Sequence, residues 1–257
     1  KPDSSIDYPI IGVLDSGIAK IPQIEPWLTA ESHTNYLEDD MDRSHGTFVA
    51  GIILHGDILE GRNMTGFKGC KIFDAAIAPK KEIMKNMSEA ELIDNIKEAI
   101  NSIDEINIWS LSAGSDLEAD PFVFSDFGVA LDKLQEDNNV LICKSVGNCD
   151  NFKKNAPKRR LSRSADSIRS LVVGSIAHKK GKYDLVEINE PSPFTRIGAG
   201  PSNLTKPDLV HFGGNAGINN GDITATGVNS FSKDGKITTN IGTSFSTPRI
   251  TSIVAGL

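Results

Sequence analysis

Four short segments of this chain carry side chains that together could perform acyl transfer. They are Gly12-Val13-Leu14-Asp15-Ser16-Gly17, Ser44-His45-Gly46-Thr47-Phe48-Val49-Ala50-Gly51, Ser145-Val146-Gly147-Asn148 and Gly242-Thr243-Ser244-Phe245-Ser246-Thr247-Pro248. A serine hydroxyl is weak at its own pKa and needs an imidazole within hydrogen-bond reach to take its proton. The imidazole needs a carboxylate on its other nitrogen, to fix the tautomer and stabilise the imidazolium. A tetrahedral oxyanion then needs preorganised donors. Asp15, His45, Ser244 and Asn148 supply one group for each role. Singly, each also has an ordinary structural reading. Asp-Ser-Gly is a common turn, and Asn148 after a glycine suits a left-handed turn.

The surrounding pattern says what must hold them. Residues 9–14 form an apolar run that ends at Asp15, the signature of a strand buried on both faces. Residues 71–78, 106–111, 140–145 and 171–176 are further strand candidates, and 183–188, with looser alternation, reads as part of a hairpin. Between them lie helices. Ser88 and Glu91 suit a capping box, followed by Leu92, Ile93, Ile96, Ala99, Ile100 and Ile103 on one face. Phe127, Ala130, Leu131 and Leu134 mark a second one-faced helix, and His45 opens a third with Phe48, Val49 and Ile52 turned inward. Ser244 is expected near a helix N-terminus, with Pro248 in or near the first turn and the Ser244 N–H free. Alternating strands and helices predict a three-layer α/β fold with a mostly parallel central sheet flanked by helices. Catalytic groups then gather at the C-terminal edge of the strands, where Asp15 and Asn148 fall.

Composition narrows the class. The chain has 257 residues, 39% hydrophobic and 24% charged, with a net charge of −7. The acidic balance argues against nucleic acid as a partner, and no apolar run is long enough to span a membrane. Lys153, Lys154, Lys158, Arg159, Arg160 and Arg163 form a basic stretch without aromatic interleaving, which reads as a solvated loop. Three cysteines, Cys70, Cys143 and Cys149, make neither a disulfide framework nor a zinc knuckle. They slightly favour reducing, cytoplasmic surroundings, with secretion behind a trimmed signal peptide as the alternative. No repeat or linker divides residues 1–257, so a single catalytic domain is expected. The apolar spacing of Ile250, Ile253, Val254 and Leu257 at the very end suggests a piece of a longer polypeptide.

In both content and order, the four segments resemble the signature blocks of the subtilase family of subtilisin-like serine peptidases. The resemblance implies a serine endopeptidase acting on protein or peptide substrates, with Asp15, His45 and Ser244 as triad and Asn148 in the oxyanion hole. It also implies that Ser112, Ala113 and Gly114 pair with substrate backbone. Lys206-Pro207-Asp208-Leu209-Val210, and Phe194-Thr195 followed by Gly198, fit further family patterns. Phe245, Ser246 and Ala113 depart from the usual residues, and 149–170 is longer and more basic than its usual counterpart. No cofactor is required. Calcium is a family habit for which Asp39, Asp40 and Asp42 have the right chemistry, but their spacing matches no calcium loop and no metal is assigned. Asp116, Glu118 and Asp120 after the substrate segment read as a solvated loop, or else as a preference for basic side chains. The rival functions are a catalytically silent subtilase-like binding or scaffolding domain, and an esterase of another α/β fold. The latter lacks support because no Gly-x-Ser-x-Gly elbow surrounds Ser244.

Overall fold

The apolar run ending at Asp15 becomes the third strand across a seven-stranded sheet in the computed structural model, which describes residues 1–154 and 159–257. In chain order the strands are β1 (Ile10–Asp15), β2 (Leu28–Thr34), β3 (Lys71–Ala76), β4 (Ile108–Leu111), β5 (Leu141–Ser145), β6 (Leu171–Ile176) and β7 (Leu209–Phe212). Four more, β8 (Asn215–Asn219), β9 (Asp222–Thr226), β10 (Val228–Phe231) and β11 (Ile237–Asn240), form two antiparallel hairpins. The helices are α1 (Ser44–Glu60), α2 (Lys81–Met84), α3 (Glu89–Asn101), α4 (Asp126–Asn138) and α5 (Thr243–Ala255).

The large sheet runs β2-β3-β1-β4-β5-β6-β7, and every pairing in it is parallel. From β1 the chain crosses to the edge strand β2 and returns to lay β3 between the two, and from β4 it builds outward on the other side. The strand order therefore reverses between β1 and β4. Loops diverge at the carboxyl ends there and open a crevice, the usual ligand position in such sheets. Asp15 ends β1 and Ser112 follows β4, so both border it.

Helices cover both faces, which completes three layers. On one face α1 sends Phe48, Val49, Ile52 and Ile53 onto Ile11 and Val13, and α5 adds Phe245. On the other, Leu92 and Ile96 of α3 and Phe127 and Leu131 of α4 enclose Trp109, Phe73 and Ile142. α5 is covered less completely near its end: Ile250 is buried, Ile253 and Val254 are half-buried and Leu257 is exposed. None of the described helices is long and apolar enough to cross a membrane.

The hairpin expected at 183–188 does not form. The Asp184 carboxylate accepts the Gly181 N–H at 2.6 Å, and the Asp184 N–H reaches the Gly181 carbonyl. That closes a turn, and a single bridge to Gly217 is the segment's only ladder contact among the described residues.

Candidate active site

Asp15 is held by a strand that is buried from Ile11 onward and is itself 3% exposed. His45 arrives from the first turn of α1. That helix is capped one residue early, because Asp42 Oδ1 accepts both the N–H and the hydroxyl of Ser44. The helix end can approach the loop after β1 because residue 46 is glycine. A Cβ there would lie 2.3 Å from the Gly17 carbonyl oxygen. The result is direct contact: His45 Nδ1 lies 2.7 Å from Asp15 Oδ1 and 2.9 Å from Oδ2. An ionised carboxylate only accepts, so Nδ1 carries the proton and Nε2 keeps its lone pair. Asp15 Oδ1 is steadied further by the Ser16 N–H at 2.8 Å. Burial works to lower the His45 pKa, but the charge and hydrogen bond of Asp15 outweigh it, and the value is raised despite a smaller opposing push from Lys81.

Ser244 is the second residue of α5, and among the described residues its N–H meets no acceptor. Pro248 lies at the start of the second turn of α5, near the first turn as expected. Its missing N–H would have met the Ser244 carbonyl. Ser112 Oγ donates to that carbonyl instead, at 3.2 Å, which ties α5 to the segment after β4.

Asn148 follows β5, and its amide is oriented by its neighbour across the site. The Thr243 N–H and hydroxyl donate to Asn148 Oδ1 at 2.9 and 3.2 Å. The amide NH2 is thus the end left to donate. The Asn148 carbonyl accepts Arg196 Nε at 2.9 Å, and Arg196 also donates to the carbonyls of Arg160 and Asp116. Phe245 packs on the His45 ring with centroids 5.5 Å apart and on Phe48 at 4.5 Å, so this unusual residue buttresses the imidazole.

Asp15 and His45 are therefore joined, and Asn148 is joined to the N-terminus of the helix bearing Ser244. Ser244 Oγ makes no hydrogen bond among the described residues. Nucleophile–base bonds commonly tighten only when substrate is bound. Ser112, Ala113 and Gly114 lie at the open end of β4. A cavity of about 300 Å³ lies between them and Asp15, His45, Lys81 and Met84. A second cavity of about 460 Å³ is lined by Asn148, Cys149, Phe152, Arg159, Phe194 and Ile241, and both reach Asp116. Thr243 and Arg196 escape sequence reasoning, since neither sits in a pattern that announces which carbonyl or amide it will meet.

The acidic cluster is mostly engaged elsewhere. Glu118 pairs with Arg159, and Asp120 accepts the N–H groups of Phe122 and Val123. The basic stretch is similarly internal, with Lys153 on Asp150, Arg160 on the Ala199 carbonyl and Arg163 on Glu89. Lys158 lies outside the described residues. Asp39, Asp40 and Asp42 do not form a calcium cage. Asp42 caps α1, Asp40 faces Lys80, and no group of three or more ligand side chains among the described residues could hold a metal.

Comparison with known proteins gives the family and the fold. The model of a family described as the subtilase family, peptidase S8, matches residues 7–257. An uncharacterized protein of Sinorhizobium fredii, y4bN, is 30% identical over 147 residues, which covers 46% of this chain and only 34% of that protein. The protease domain of PatA superposes with a TM-score of 0.61 at 20% identity, over 98% of this chain and 81% of that one. The epidermin leader peptide processing serine protease EpiP of Staphylococcus aureus gives 0.64 at 16% identity, over 96% and 64%. At these identities the two structures establish the likeness of fold.

Proposed function

The chain belongs to the subtilase family, and from that premise we propose that it is a serine endopeptidase that hydrolyses peptide bonds through an acyl-enzyme. The observation that carries the reading is the His45–Asp15 contact at 2.7 Å, set beside an Asn148 amide pinned to the first turn of the Ser244 helix.

In this reading, substrate backbone lies along Ser112, Ala113 and Gly114 as an added strand. Ser244 Oγ attacks the scissile carbonyl carbon while His45 Nε2 takes the hydroxyl proton. The carbonyl π electrons move onto oxygen, where the Asn148 amide and the Ser244 N–H meet the developing charge. His45 returns its proton to the leaving amine as the C–N bond breaks. Water then attacks the ester with His45 again as base, and the acid product and free Ser244 are released.

A fluorophosphonate probe followed by peptide mapping tests the assignment. Label on Ser244 is the expected result. Label elsewhere, or none on folded protein, favours the silent binding domain instead. Asn148→Leu is expected to lower kcat by about 10²–10³ with little change in KM, since the donor acts on charge that exists only in the transition state. Steady-state kinetics on a quenched peptide reads this.

The raised His45 pKa sets the acid limb of the pH profile. His45 must be neutral to act as base, so activity falls as pH drops through its pKa. The half-point of kcat/KM is expected above the 6.5 of an ordinary imidazole. A limb below 6.5 contradicts the Asp15 contact as the controlling influence.

A further inference from the structure

Lys144 is a buried cation that the proposed chemistry does not use. Its residue is 1% exposed, and Nζ donates to the Ser145 carbonyl at 2.8 Å and to Ser145 Oγ at 3.1 Å. An ammonium has three donors, so one is left over. Among the described residues it has no carboxylate partner. Burial without a counter-charge pushes the amine down to about 7.

Its position gives this a meaning. β4 and β5 run side by side, with Leu111 opposite Lys144, and beyond them Ser145 Oγ donates to the Ser112 carbonyl. Ser162 closes the far side by donating its N–H to the Val146 carbonyl. In the substrate placement proposed above, a peptide along 112–114 with its scissile carbonyl at Asn148 and Ser244 carries the side chain of its acyl residue toward the seam between β4 and β5. There Nζ sits directly off the bare α-carbon of Gly114. A Cβ built on Gly114 would be 3.0 Å from Nζ and 3.0 Å from Ser164 Oγ. Ser164 Oγ is itself fully buried and has no hydrogen-bond partner. An amine and a hydroxyl, both short of partners, converge where a side chain would arrive. Only glycine at 114 lets both atoms come this close to the substrate-binding segment.

We propose that the subsite for the residue on the acyl side of the scissile bond takes an acidic side chain, whose carboxylate meets Lys144 Nζ and Ser164 Oγ. This rests on the placement of substrate by Asn148 and Ser244 above. A carboxylate would supply the missing counter-charge, accept the spare N–H and pair the orphan hydroxyl, whereas an amide isostere could make the same hydrogen bonds but brings no counter-charge. The acidic loop does not compete for that position. Glu118 and Asp120 are engaged as described, and Asp116 is exposed at the rim.

Fluorescein-labelled peptides identical except for a terminal Glu, Gln or Leu, titrated against protein carrying Ser244→Ala, read the subsite without any chemical step. The Glu peptide is expected to bind about ten- to a hundredfold more tightly than the Gln peptide, the range for a hydrogen bond to a charged group. Adding Lys144→Met should erase that ratio and favour Leu. The comparison in protein that retains Lys144 stands even if Lys144→Met fails to fold. Equal binding of Glu and Gln, tighter binding of Leu, or no binding of any of the three overturns the proposal. A wrong assignment of Ser244 shows separately, as missing fluorophosphonate label, and leaves the binding ratio readable.

Discussion

Ser244→Ala is expected to lower kcat on a peptide substrate by about 10⁶ while barely moving the thermal midpoint. The magnitude is the one known for the same loss in subtilisin, carried over to this site. The two halves of the expectation come from different atoms. Ser244 Oγ makes no hydrogen bond among the described residues, so the fold loses nothing when it goes, and alanine suits the first turn of α5. The groups that would bind the oxyanion, the Asn148 amide and the backbone N–H of residue 244, survive the substitution. KM should therefore change little, and a residual rate of roughly 10³–10⁴ over water should persist from binding and oxyanion stabilisation. Cleavage of a quenched peptide, scanned alongside differential calorimetry, gives both quantities. Full turnover in the variant would end the assignment of the nucleophile.

Asp15→Asn should cost about 10⁴ in kcat without disturbing the fold, a smaller loss with a different signature. The Ser16 N–H donates to Oδ1, so an amide at residue 15 turns its oxygen toward that N–H. Its NH2 then takes the Oδ2 position, 2.9 Å from His45 Nδ1. Two N–H groups cannot face each other there, and the imidazole escapes by moving its proton to Nε2. The base is then protonated on the nitrogen that must accept from Ser244. The charge that raised the His45 pKa has also gone, so the acid limb should move to lower pH even as the plateau collapses. A pH profile of the variant, together with the NMR shifts of the His45 nitrogens, checks both effects. An unshifted limb would mean that Asp15 does not govern His45.

Elements with local signals were readable from the residues. β6 was expected at the residues where it forms, because its apolar run needs no partner to be recognised. α3 was legible from its cap: Ser88 Oγ accepts the Glu91 N–H at 3.2 Å, and Glu91 Oε2 accepts the Ser88 N–H at 2.7 Å. β2 was not legible. It is an edge strand with mostly exposed residues and a shift in register between Leu28 and Ser32, so burial imposes no alternation on it. The β8–β9 hairpin offers one local cue, Asn220-Gly221 with both residues at positive φ, but its polar strands hide the rest. The candidate site divides the same way. Asp15, His45, Asn148 and Ser244 are recognisable by what acyl transfer requires. The contributions of Thr243, Arg196 and Lys144 depend on which backbone groups the fold brings to them, and Arg196 meets a carbonyl 48 positions away.

The grip of Arg196 bears on how chains of this family can vary. One guanidinium holds the carbonyls of Asn148 and Arg160, the two ends of the segment that follows Asn148. Arg196 thereby ties the two ends of that segment to each other. Residues inserted between ends so tied lengthen the segment without removing the tie at Asn148. Each doubling of its length adds only about 0.6 kcal/mol of closure entropy. A lineage is thus free to rewrite the length and charge of the segment after Asn148 while the Asn148 amide stays where it is.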